Sequence, residues 1–214
     1  MLVGANVVRV ADVGPIPVVG GALQWHPLRK RLGVRAFGIN AYSAAAAGDE
    51  VVESHDESDL GHEEIYVVLS GRATFTVNGE ELDVPAGSLV HLSDPTVRRH
   101  AVAAEPATTV LAIGGKPGEP FRPSAWEHYF EAGAAQAAGD GEGAYKIAAA
   151  GLVDHPDHPA LLFNTACYAA LAGHPDDAIA MLGRALDVAP DRVRAWAADD
   201  SDLDSLRERP DWPL

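Results

Sequence analysis

The stretch His62–Gly87, HEEIYVVLSGRATFTVNGEELDVPAG, decides the fold. Glu64 to Leu69 and Ala73 to Val77 read as two short strands divided by a turn at Ser70-Gly71. Asn78-Gly79 then predicts a tight hairpin, because a type I′ turn needs positive φ at both central residues. Leu82-Asp83-Val84 returns the chain to a further turn at Pro85-Ala86-Gly87. At the head of the stretch stand His62 and Glu64, two residues apart. In a strand that spacing puts both side chains on one face, where they can begin a metal site.

Outward from this core the same rhythm continues. Ser88 to Leu92, Arg98 to Ala103 and Thr108 to Ile113 follow as strands, with Asp94-Pro95 as a turn. Upstream, Val7 to Val10, Gly33 to Tyr42 and a strand through Val51-Val52 precede an acidic loop from Asp56 to Gly61. Many short strands with turn chemistry between them predict an antiparallel sandwich or barrel. In Gly33–Tyr42, alternation places Arg35, Phe37 and Ile39 on one face and Asn40 and Tyr42 on the other. With Tyr66 and Thr74, Asn40 and Tyr42 are candidates for lining an interior cavity.

The composition changes near Gly114. GGKPGEPFRP reads as a linker, and beyond it alanine dominates with helical periodicity. Helices are expected from Ser124, a candidate N-cap, to Ala138, then over about 142–153, 159–172 and 175–188. A repeat lies inside this part. At an offset of 34 residues Ala144 matches Ala178, Leu152 matches Leu186, Pro156 matches Pro190 and Asp157 matches Asp191, which is the tetratricopeptide period. Two units and a capping half-repeat from Val193 are few for a free-standing solenoid, since each repeat buries its apolar face only against a neighbour. The helices are therefore expected to pack on the β-domain or on a second copy of the chain. The expected organisation is a β-domain over 1–114, a linker over 115–123 and a helical domain over 124–214.

Bulk properties narrow the function classes. A formal net charge of -15 offers no basic surface to a phosphate backbone, and Arg29-Lys30-Arg31 reads as a surface turn, so no nucleic-acid partner is expected. The single cysteine, Cys167, excludes an intramolecular disulfide and sits among apolar helical residues, where an inert buried thiol is the expectation. The N-terminal MLVGANVVRVADVG is apolar without a basic n-region, a poor signal peptide, and no run is long enough to span a bilayer. A cytoplasmic protein is expected.

From Gly48 to Ala103 the chain resembles the cupin superfamily of small jelly-roll barrels with an internal metal or ligand site. Glu64 and Gly71, in EIYVVLSG, stand at that family's glutamate-to-glycine spacing. Gly48 and His55 fit the opening of its first motif with one extra residue. Glu57 stands where the second histidine of the pair belongs, and His62 arrives within a longer loop. In the second motif Gly87 and SLVHL align, while Ser93 and Pro95 replace a proline and a glycine. Arg98 falls at the last metal histidine, and His100 is two further on. The resemblance implies an antiparallel β-barrel of cupin jelly-roll type. Together with the independent similarity of the tail to tetratricopeptide proteins it suggests an α+β chain in two parts, the barrel followed by a short tetratricopeptide-like helical domain, a combination of bacterial type.

The candidate metal ligands are His55, His62, Glu64 and His100, with Glu57 in reserve. Converged, they would hold a divalent metal (Zn, Mn, Fe or Ni) with open positions for substrate. Arg98 speaks for the opposite reading, a barrel that has lost its metal, because a guanidinium repels a cation and cannot ligate it. In that reading Arg98 grips an anionic ligand, with Tyr66, Asn40 and Tyr42 around it. Two functions follow. One is a small-molecule binding protein whose helical part docks a protein partner or makes a dimer. The other is a metal-dependent enzyme of oxygenase, isomerase or decarboxylase type. His91 is expected on the surface; His26, His128, His155, His158 and His174 are expected at turns and helix ends.

Overall fold

Left-handed backbone at two adjacent residues, φ 49° at Asn78 and 88° at Gly79, folds the chain back on itself and sets the register of everything around it. In this computed structural model, which describes residues 6–18 and 22–214, Val77 pairs with Glu80 across that turn. The strands of the described residues are β1 (Ile16–Val18), β2 (Leu23–His26), β3 (Gly38–Ser43), β4 (Glu50–His55), β5 (Glu63–Ser70), β6 (Arg72–Val77), β7 (Glu80–Pro85), β8 (Leu89–Leu92), β9 (Arg99–Ala103) and β10 (Thr109–Gly115). All pairings are antiparallel, in a six-stranded sheet of order β1-β2-β3-β10-β5-β8 and a four-stranded sheet of order β4-β9-β6-β7.

The barrel expected from the sequence is thus two separate sheets; among the described residues no ladder closes one onto the other. Each sheet turns one face inward. From the larger come Tyr66, Val68, Val90, Leu92 and Val110, and from the smaller Val51, Val52, Ala73, Phe75, Val84, Ala101 and Ala103, all in one buried cluster. β5 shows the alternation most plainly, with Glu64, Tyr66 and Val68 buried and their neighbours partly exposed. At about 25 cal/mol per Å² of apolar surface removed from water, these side chains drive the sheets together.

The chain departs from the expected elements in several places. Val7 to Val10 forms no strand; a 3-10 turn spans Val10–Asp12 instead. The first five residues lie outside the described ones. β1 and β2 carry no strand signal in the sequence, because Pro15, Pro17 and Pro27 break their pattern into pieces too short to read. Arg29-Lys30-Arg31 lies in a helix, α1 (Leu28–Leu32), held by buried Leu28 and ended by Gly33. The strand read over Gly33–Tyr42 begins only at Gly38. Thr74 points outward, since Ala73 and Phe75 take the inner face of β6.

The chain divides into two compact units, the first ending at Arg122 and the second running from Pro123 to Leu214. Part of the segment read as linker belongs to the first unit: Gly115 ends β10, and the Phe121 ring lies 5.8 Å from the ring of His62. The second unit holds α2 (Ala125–Ala137), α3 (Gly141–Gly151), α4 (Pro159–Leu171), α5 (Pro175–Val188), α6 (Pro190–Ala197) and a 3-10 helix over Ser201–Leu206. α2 and α4, and likewise α3 and α5, begin 34 residues apart. Ala144 and Ala178, matched at that offset, are both fully buried. Their small side chains let successive helices approach closely. Ser124 precedes α2 but its side chain makes no capping bond. No helix of the described residues is long and apolar enough to cross a membrane.

Candidate functional site

The inner faces of the two sheets carry a polar cluster at one end of the apolar core. β5 supplies Glu64 and Tyr66, on one face because they are two residues apart. Rows across the larger sheet place Gly38, Gly114, Glu64 and Leu92 side by side, and beside them Asn40, Ala112, Tyr66 and Val90. Gly114 is part of this arrangement and no linker residue: a Cβ there would stand 3.0 Å from Glu64 Cγ, so glycine leaves room for the carboxylate arm.

From the smaller sheet come His55 and Arg99, which face each other in register across β4 and β9. β4 carries register shifts between Glu50 and Val52 and between Val52 and His55. Such bulges reset which face a side chain takes. They bury the consecutive Val51 and Val52 and still aim His55 inward. The loop before β5 adds Glu57 and His62. Its shape is held by bonds from the Glu57 backbone N–H to Pro95 O (2.8 Å) and from the Gly61 N–H to Glu57 O (2.6 Å).

Distances within the cluster are short. Tyr66 donates its hydroxyl to Glu64 Oε2 at 2.6 Å. His55 Nε2 stands 3.9 Å from Glu64 Oε2, 3.7 Å from Glu57 Oε1 and 3.5 Å from the Tyr66 oxygen. His62 Nδ1 is 3.2 Å from Glu57 Oε2. Arg99 Nη2 is 3.2 Å from Glu64 Oε2, yet among the described residues none of the three guanidinium nitrogens makes a hydrogen bond of proper geometry. The pair is held by charge rather than by directed bonds. Arg99 is wholly buried, whereas the His55 side chain is 34% exposed and marks where the cluster meets solvent.

Two details set the chemistry. His55 Nδ1 is 2.7 Å from the carbonyl oxygen of Glu53, which can only accept, so Nδ1 carries the proton. In the neutral ring Nε2 is then a lone pair facing the two carboxylates. Burial, the largest cause, pushes the Glu64 carboxyl above its ordinary value; the Tyr66 hydrogen bond and the Arg99 charge oppose it, and Glu57 adds to the rise. Burial also pushes the Tyr66 hydroxyl well up, with the Glu64 charge next, so it stays a donor.

Of the expected metal ligands, three meet here: His55, Glu64 and, through Glu57, His62. His100 does not. It lies on the outer face of β9 with Nε2 3.1 Å from Glu50 Oε1. Arg98 is likewise misplaced by the sequence reading: it is exposed, with its backbone N–H donating to Asn78 Oδ1. The inward residue is its neighbour Arg99, followed by buried Ala101 and Ala103. In RRHAVA the apolar Val102 favours one phase and the two alanines the other, and only packing decides between them. Tyr42 and Asn40 do take the inner face of β3, and Asn40 Oδ1 is buried without a hydrogen bond. The remaining histidines serve the fold. His26 caps no helix but sits buried on β2, bonded to Val13 O and Ser43 Oγ at 2.8 Å each. His158 does cap α4, accepting from the Leu161 N–H.

A divalent metal would find donors here but not a favourable charge. His55, Glu57 and Glu64 each offer a ligand atom, all within 4.8 Å of one another, and imidazole with carboxylate is a sound donor set. The surrounding charge is not. The buried Arg99 guanidinium stands 3.2 Å from Glu64 Oε2, so a dication on that carboxylate would face a second positive charge with little water between them to screen it. Arg99 has no solvent to retreat into, so the cluster as built does not fit a divalent cation.

The sequence matches no protein-family model and no curated protein. Among solved structures the chain is similar to KdgF from Halomonas sp. (16% identity, covering 52% of this chain and 89% of that one, TM-score 0.39). It is also similar to a cupin protein from Bacteroides fragilis (26%, 51% and 88%, TM-score 0.37). A sugar phosphate isomerase of the cupin superfamily from Silicibacter pomeroyi is similar over 52% of this chain and 76% of its own (15%, TM-score 0.44). The second and third of these neighbours are cupin proteins, and each match spans about half of this chain.

Proposed function

We propose that the β-sandwich unit binds a small neutral or cationic molecule rich in hydroxyl or amine donors, with His55, Glu57 and Glu64 as its acceptors. The observation that carries this is the convergence of three acceptor atoms, His55 Nε2, Glu57 Oε1 and Glu64 Oε2, at the partly exposed end of an apolar interior. Facing acceptors repel one another unless a donor lies between them, and a ligand O–H or N–H is such a donor. The anionic ligand expected from the sequence rested on Arg98, whose exposed position gives it no part in this interior. Arg99 is closed off behind Glu64. Tyr66 positions Glu64, and Asn40 and Tyr42 line the wall beyond it.

A thermal-shift screen that sets neutral polyols and amines against matched carboxylates tests the reading. The expected result is stabilisation by compounds of the first kind, lost in His55→Ala and Glu57→Gln. A screen in which only carboxylates bind, or in which both variants bind as well as the wild type, would sink it.

The helical unit is read as a tetratricopeptide-like module for a protein partner or for self-association, supported by helix starts 34 residues apart. Light scattering tests self-association, and a monomer at high concentration counts against it. A cytoplasmic setting belongs to the same reading. The other function, a metal-dependent enzyme of oxygenase, isomerase or decarboxylase type, is favoured by the His55, Glu57 and Glu64 donor group and opposed by Arg99.

A further inference from the structure

We infer that Arg99 is a built-in counter-ion that takes the place of a divalent metal in this cluster, so that the site is organised without one. The inference is independent of which ligand the unit binds.

Position is the first support. Arg99 stands opposite His55 in the β4–β9 ladder and 3.2 Å from Glu64, between two of the three residues whose ligand atoms converge. The second is burial without hydrogen bonds: Nε, Nη1 and Nη2 make none to the described residues, although the residue is wholly removed from solvent. A guanidinium retained under those conditions is retained for its charge, because buried polar groups are otherwise paired. Charge is the third. Glu57 and Glu64 bring two negative charges into the cluster, and Arg99 returns one positive charge. A dication would balance the carboxylates alone. With Arg99 also present, three positive charges would meet two negative ones, the Arg99 charge being wholly removed from solvent. Arg99 and a divalent cation are therefore alternatives for one electrostatic role.

The test uses the full chain stripped of metal by chelation and titrated with Co²⁺, followed by visible absorption, and with Zn²⁺, followed by calorimetry. The wild type is expected to show no saturable site. Arg99→His and Arg99→Gln, checked for fold by circular dichroism, are expected to bind one equivalent at least about a hundredfold more tightly than the wild type. Adding His55→Ala to either should abolish that gain. Arg99→Lys keeps the charge and should stay as inert as the wild type. One equivalent bound by the wild type and lost in His55→Ala would overturn the inference. So would folded Arg99→Gln and Arg99→His proteins that gain no affinity. Should neither fold, the wild type and Arg99→Lys decide: a saturable site in either overturns the inference, and none in both supports it.

Discussion

Two interiors in this chain differ in the kind of polarity they bury. In the helical unit the core is made of Leu162, Phe163, Leu182, Val193, Leu203 and Leu206 with alanines between them. Its buried hydroxyl, Thr165, donates to Leu161 O one turn back at 2.7 Å. Cys167 is buried with its thiol pushed up by desolvation, far from any reactive form. In the sandwich the apolar layer gives way to Asn40 and to two charged residues close together, Arg99 and Glu57, with buried polar atoms that lack hydrogen bonds to the described residues, whereas the helical unit leaves such an atom on the neutral Gln136. Polarity that serves a fold is usually satisfied locally. A cluster of buried charges left without hydrogen bonds at one end of a core marks where the molecule is prepared for something else.

The hardest test of that contrast removes the buried cation. Arg99→Ala leaves Glu64 uncompensated and should cost about 3–5 kcal/mol in urea denaturation. The double variant Arg99→Met with Glu64→Gln should recover most of the loss, since replacing both partners removes the desolvation penalty along with the attraction. A small effect of Arg99→Ala would erase the distinction between the two interiors. In the helical unit the matching change is Leu182→Ala, a fully buried side chain in a dry core. It should cost about 2–4 kcal/mol through lost burial and the cavity left behind, read from the helical signal, and no second substitution at a charge should rescue it.

How far the sequence reveals this molecule depends on whether a feature is local. The Asn78-Gly79 hairpin and the 34-residue helix spacing are written in residue types and can be read directly. Gly71 belongs with them: its φ is 70°, and a Cβ there would clash with Thr108. Gly71→Ala should therefore cost about 1–3 kcal/mol in the same denaturation experiment, from left-handed backbone and from that contact. The site was legible only in part. His55, His62, Glu64 and Glu57 announce themselves as metal-type residues. The phase of the strands that deliver them does not, because bulges in β4 and the single-residue ambiguity of RRHAVA are settled by packing across the sandwich.

Acidity offers a gentler probe of the same end of the core. The Glu64 carboxyl is raised above its ordinary value of 4.5, burial being the largest cause. The folded state therefore keeps its proton at a pH where the unfolded chain has lost it. The stability this contributes is full below the ordinary value and is lost as pH rises through the raised one. Subtracting the pH profile of Glu64→Gln from that of the wild type isolates the effect. The difference should fall with rising pH across that window, by at most about 1.4 kcal/mol per pH unit. A difference that rises with pH would show Arg99 outweighing desolvation, and would place Glu64 below the ordinary range.

The smallest expected effect is the most pointed, because it concerns the residue next door. Arg98 and Arg99 have the same side chain, and one step along a strand reverses the face it takes. Arg98 is exposed and its backbone, not its guanidinium, holds Asn78. Arg98→Ala should leave stability within about 0.5 kcal/mol of the wild type, as surface changes away from caps and networks usually do. It should also leave the response to any ligand found by thermal shift unchanged. If Arg98→Ala instead weakens binding while Arg99→Lys does not, the strand carries the opposite phase. The acceptor cluster would then lose its buried cation, and a divalent metal would again be the group that balances Glu57 and Glu64.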